Sequence, residues 1–86
     1  FIISDKHEEI KDRILKDLDR GGTFFNGKGM YSNSDKKIIF TTLSKKQLPQ
    51  LIHIVHEIDP NAFMSIIEAS EIFGEGFASL KAKATE

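Results

Sequence analysis

Residues 44–77 read SKKQLPQLIHIVHEIDPNAFMSIIEASEIFGEGF, and they decide the fold. Ser44 and Gln47 stand at S-x-x-Q spacing, the pattern of a helix start whose two side chains serve each other's backbone donors. Leu48, Leu51, Ile52, Val55 and Ile58 then recur at helical spacing on one face. Pro49 falls in the first turn, where it is tolerated. Pro60 biases Asp59 away from helical angles and ends the helix. The apolar run Ala62 to Ala69 is expected to be a strand buried on both faces. It is followed by Glu71-Ile72-Phe73, which can extend it or pair separately, and by the corner Gly74-Glu75-Gly76-Phe77.

Upstream, the chain supplies the surface on which this unit packs. Phe1 to Asp5 is a short strand, and Ser4 or Asp5 is placed to cap a helix. Ile10, Ile14, Leu15 and Leu18 form that helix's apolar stripe, Glu8 and Glu9 suit its positive end, and Gly21-Gly22 is expected to stop it. Thr23-Phe24-Phe25 begins a second strand. Asn26-Gly27-Lys28-Gly29 interrupts it, as a bulge or a close backbone approach would, and Met30-Tyr31 resumes it. After the polar turn 32–35, Lys36 to Leu43 is rich in β-branched and aromatic residues and makes a third strand. Strands two and three read as a hairpin with a long tip.

The order is β-α-β-β-α-β, which specifies an α+β, ferredoxin-like sandwich: two helices on one face of a four-stranded antiparallel sheet. Residues 1–80 are expected to form one domain and 81–86 a polar tail. The open sheet face then needs a cover, and Phe24, Phe25, Phe63, Phe73 and Phe77 supply apolar material for self-association.

Bulk properties narrow the function. Of 86 residues, 40% are hydrophobic and 29% charged, as in a globular domain. Twelve basic and thirteen acidic residues leave a net charge of −1, which gives no general pull on nucleic acid or anionic lipid. The paired aromatics of an RNA-recognition sheet are also absent. There is no cysteine, hence no disulfide framework or thiol chemistry. No apolar run approaches the ~20 residues that span a bilayer. The start on Phe1-Ile2-Ile3, a strand already under way, leads us to expect further chain upstream.

One set of motifs carries a resemblance. Gly27-x-Gly29-x-Tyr31, Leu48-Pro49, Asp59-Pro60-x-Ala62-Phe63 and Glu71-Ile72-x-Gly74-Glu75-Gly76-Phe77 resemble the C-terminal domain, of unknown function, of YitT-type bacterial membrane proteins. The resemblance covers nearly the whole chain. One departure is Ser70, where that family often has a histidine. The resemblance implies membrane helices upstream, a location on the cytoplasmic side of the bacterial membrane and a PII-like, often oligomeric fold. In PII-like proteins the loop between strands two and three helps to bind small anionic nucleotides. The resemblance implies no catalytic residues.

Two glycine corners are therefore candidate ligand sites. Gly27-Lys28-Gly29, with Lys36 and Lys37, can form an anion nest, or else a bulge flanked by solvated lysines. Tyr31 belongs to the same motif. Gly74, Glu75, Gly76 and Phe77 can line a pocket, with Phe77 stacking on a base, or else form a tight turn that docks Phe77. His53 and His56, with Glu57, have a spacing compatible with zinc but no third ligand, so no metal and no cofactor are expected. No serine or threonine has a His-Asp pattern around it, and no enzyme is expected. The leading expectation is a regulatory domain that senses an anionic nucleotide; the rival is a homo-oligomeric assembly module without a ligand.

Overall fold

The computed structural model describes residues 1–74 and 78–79. Its elements are β1 (Ile2–Ile3), α1 (His7–Asp17), β2 (Gly22–Lys28), β3 (Asp35–Thr41), α2 (Leu48–Ile58), β4 (Phe63–Met64), β5 (Phe73–Gly74) and β6 (Ala78–Ser79). The first four strands form one antiparallel sheet in the order β2-β3-β1-β4. That order, with two helices on one face, is the expected ferredoxin-like α+β arrangement. The strands β5 and β6 pair only with each other, Phe73 opposite Ser79 and Gly74 opposite Ala78. The expected tail, 81–86, lies outside the described residues.

The core sits between the helices and the sheet. Ile10, Ile14 and Leu18 of the first helix region meet Leu51, Ile54 and Val55 of α2 over Ile2 and Ile39. The α1 stripe holds except at Leu15, which is 51% exposed. On α2 the buried face is turned by part of a residue step: Ile54 is buried and Ile52 exposed. Both are isoleucines within Leu51-Ile52-His53-Ile54-Val55, where apolar side chains lie on either side of His53, so periodicity alone did not separate them.

Four further expectations are corrected. First, β2 is continuous: its register runs unbroken from Gly22 opposite Thr41 to Lys28 opposite Asp35, with no bulge at Gly27. Met30 and Tyr31 do not resume the strand but sit at the hairpin tip, fully exposed. Second, α1 ends before the glycines. Asp19 takes the left-handed conformation (φ 52°), and the Arg20 N–H reaches back to the Ile14 carbonyl at 3.3 Å. An aspartate tolerates this conformation better than most side chains. Third, the fourth strand is two residues long, extended only by mutual backbone bonds between Phe1 and Ser65. It is an edge strand, so Ile66 and Ile67 beyond it are exposed rather than buried on both faces. Fourth, Phe24 and Phe25 point to opposite faces, as neighbours on a strand must. Phe24 packs against the core and only Phe25 belongs to the open face.

Two polar clamps fix the corners. The Ser4 hydroxyl donates to Asp59 Oδ2 at 2.5 Å and accepts the Lys6 N–H at 2.9 Å. The Asn61 N–H donates to the other Asp59 oxygen at 2.9 Å. Together these bonds join the β1–α1 corner to the α2–β4 corner. The Ser4 hydroxyl, then the Asn61 amide, hold the Asp59 carboxyl below its usual range. The second clamp is Gln47. Its Oε1 accepts the Ser44 N–H at 3.1 Å, which is half of the expected capping pair, and the Arg20 Nε–H at 3.1 Å; the other half does not form, since the Gln47 N–H goes to the Ser44 carbonyl and not to its hydroxyl. Its Nε2 donates to the Leu18 carbonyl at 3.0 Å. One side chain thereby serves the end of α1 and the beginning of α2.

Candidate functional site

The expected anion site falls on the β2–β3 hairpin. Its tip is closed by its own bonds: the Gly29 N–H donates to the Ser34 carbonyl and the Asn33 N–H to the Gly29 carbonyl, both at 2.9 Å. Asn33 carries the left-handed angle (φ 55°). A Cβ at Gly29 would lie 2.8 Å from Ser32 Oγ, the rotatable end of an exposed side chain. Gly27 sits within the regular ladder opposite Lys36. Neither glycine has the positive φ of a nest residue.

The three lysines share the hairpin but not a focus. Lys36 Nζ pairs with Asp5 at 3.5 Å. Lys37, on the other face, sets its ammonium 5.4 Å from the Phe24 ring centroid. Lys28 is exposed and lies opposite Asp35. Tyr31 reaches into solvent. Gly74 belongs to the separate β5–β6 ribbon, and Glu75, Gly76 and Phe77 lie outside the described residues.

His53 Nε2 pairs with Glu57 Oε2 at 3.2 Å on an exposed helix face. Glu57 also receives Arg13 from α1 at 3.3 Å. Among the described residues no group of three His, Cys, Asp or Glu could hold a metal. His7 is half-buried, with its ring edge-on to Phe24 at 5.6 Å and Nδ1 3.2 Å from the Ser4 carbonyl.

Two other features have more shape. The first is the open sheet face. Phe1, Phe25 and Phe40 stack there with ring centroids 5.2–6.5 Å apart. Ile3 and Ile38 pair across β1 and β3 beside them, and Phe63 stands opposite Ile3, two-thirds exposed. At the edge of this face Lys36 Nζ is paired with Asp5. The second is a hollow of about 120 Å³ between α1 and the start of β2. Ile14, Leu15, Phe24 and Ile39 wall it, and Lys11 and Arg20 add cationic groups. A sequence pattern had no means of finding it, since it arises where a helix end fails to cover a strand end.

Comparisons with known proteins complete the picture. The chain is 34% identical over 76 residues to the UPF0750 membrane protein YpjC of Bacillus subtilis, covering 88% of this chain and 26% of that protein. It is 36% identical over 74 residues to YitT of the same organism, covering 86% and 26%. Against a UPF0316 protein of Acetivibrio thermocellus it is 38% identical over 72 residues, covering 83% and 34%. The chain thus spans about a quarter of the length of the curated membrane-protein relatives it matches. Among the described residues no helix is long and apolar enough to cross a membrane. A crystal structure of an uncharacterized DUF2179 protein conserved in bacteria, from Eubacterium ventriosum, superposes with a TM-score of 0.67 at 35% identity. It covers 77% of this chain and 90% of that one. The profile of the family described as "Uncharacterized protein conserved in bacteria (DUF2179)" matches residues 20–74, and the chain belongs to that family.

Proposed function

We propose that this chain is a non-enzymatic assembly module, appended to a bacterial membrane protein on its cytoplasmic side, that pairs with a second copy of itself through the open sheet face. The stacked Phe1, Phe25 and Phe40 rings, flanked by Ile3, Ile38 and Phe63, carry this reading. A largely apolar face whose cation Lys36 is already paired with Asp5 matches an identical face, whereas an anionic lipid surface calls for a rim of free cations. Four strands at ~4.8 Å spacing, the longest about 23 Å, give a flat area of at most ~450 Å². Stable pairs bury roughly 800 Å² per partner. The face alone therefore supports a weak dimer. In the full membrane protein, tethering raises the local concentration and makes weak pairing sufficient.

Sedimentation across a concentration series tests this. The chain is expected to dimerise reversibly and Phe25→Glu to sediment as a monomer. Met30→Glu, at the exposed hairpin tip, is expected to behave as the parent. Equal association of the Phe25 variant and the parent would refute the pairing face.

A second reading is regulatory sensing of an anionic nucleotide at the hairpin, in the manner of PII-like proteins. Its support is the presence of Lys28, Lys36 and Lys37 on one hairpin. Calorimetry with mono-, di- and cyclic nucleotides tests it, and silence across all three classes ends it.

A further inference from the structure

The hollow beneath α1 combines features that a packing defect does not require. Leu15 belongs to the apolar stripe of α1 yet stays half exposed, because it lines this space rather than the core. Ile14, Phe24 and Ile39 supply the remaining apolar wall. Arg20 is half-buried at the rim, and it also borders a second, shallower hollow that shares Gly21, Gly22, Thr23 and Thr41. Gln47 holds the Arg20 Nε–H at 3.1 Å, which fixes the guanidinium while leaving its two terminal nitrogens uncommitted. Among the described residues no carboxylate pairs with Arg20. Two α1 cations are already paired: Lys11, which lines the same hollow, with Glu8 at 2.7 Å, and Arg13 with Asp17 and Glu57.

We infer that this hollow is a binding site for a small organic carboxylate with a compact apolar tail. The carboxylate pairs with the terminal nitrogens of Arg20, whose planar fork matches two oxygens. The tail enters the space walled by Ile14, Leu15, Phe24 and Ile39. The volume limits the tail. At about 120 Å³ the hollow is slightly smaller than the roughly 150 Å³ cavity that takes benzene, so a branched chain of about four to six carbons fits and a nucleoside does not. Inorganic phosphate would satisfy Arg20 but leave the apolar wall wet, so it binds more weakly. The site lies on the helix side of the sheet and does not depend on the paired face.

The test is an amide NMR titration of the chain with 4-methylpentanoate, 4-methylpentanamide and inorganic phosphate as probes. It is run in the parent and in a Phe25→Glu background, which separates this site from assembly. The carboxylate is expected to shift the Gly21, Gly22 and Thr23 amides saturably, with a Kd of about millimolar order. The amide and phosphate are expected to bind about tenfold more weakly or worse. Arg20→Gln should lose the preference for the acid over the amide, Arg20→Lys should keep part of it, and Leu15→Trp should block both organic probes. Well-dispersed spectra establish that each variant is folded, so loss of binding reads on the site. No saturable shift in the parent at about tenfold above that Kd, equal binding of acid and amide, or an unchanged preference in Arg20→Gln each overturns the proposal.

Discussion

Gln47→Ala removes one side chain and disturbs both helices. Four hydrogen bonds vanish: from the Ser44 N–H, a long one from the Ser44 hydroxyl, one from Arg20 Nε and one to the Leu18 carbonyl. They do not count equally. The Arg20 group is re-solvated at little cost. The Ser44 N–H belongs to a buried residue at the approach to α2, and losing its acceptor costs about 1 kcal/mol, as for a lost helix cap. The Leu18 carbonyl follows the end of α1 on a buried residue, and an orphaned acceptor there costs about another 1 kcal/mol. The sum, about 2 kcal/mol, is a large share of the ~4–13 kcal/mol expected for a domain of this size. With a urea dependence near 1 kcal/mol per molar, the unfolding midpoint should fall by about 2 M. Gln47→Glu separates the parts: it keeps the acceptor for Ser44 and Arg20 but sets a carboxylate against the Leu18 carbonyl, so about half of the loss should remain. Equilibrium urea unfolding followed by helical circular dichroism measures both. A midpoint for Gln47→Ala within experimental error of the parent would refute the clamp.

Other consequences follow from the same coordinates. Ile10 is fully buried at the centre of the core, and Ile10→Ala should cost about 3 kcal/mol by urea unfolding. Gly22→Ala places a Cβ 2.7 Å from the Phe40 carbonyl oxygen and should cost about 1–3 kcal/mol, whereas Gly21→Ala meets nothing within 4 Å and should change stability by no more than about 0.5 kcal/mol. Asp59 has a depressed folded pKa, through Ser4 first and Asn61 second, so its contribution is present above the ordinary carboxylate pKa and is lost as pH falls through the lower, folded value. Asp59→Asn should therefore destabilise the chain at neutral pH and flatten the loss of stability below about pH 4, which thermal unfolding from pH 7 to pH 2 detects.

The candidate sites were less legible than the architecture. The glycine-lysine hairpin was visible as a motif, but whether its amides are free depends on the tip's closure by Ser34 and Asn33. Lys36 and Lys37 are neighbours in sequence and lie on opposite faces in the sheet. Arg20 drew no attention as a residue between a helix and two glycines. Its standing depends on Gln47, 27 residues away, and on the uncovered edge of Leu15.

Order and type of elements follow from local physics. Apolar spacing of three and four marked both helices, β-branched runs marked the strands, and Pro60 ended α2, because each of these acts through neighbours in the chain. With right-handed crossovers, that order left essentially one sheet topology, β2-β3-β1-β4. Tertiary packing decided the rest: that Ile54 rather than Ile52 is buried, that β4 is a two-residue edge, that Phe25 faces outward while Phe24 faces inward, and that a hollow remains under α1. These outcomes depend on distances between elements far apart in sequence, and a pattern along one chain carries no record of how closely two surfaces meet.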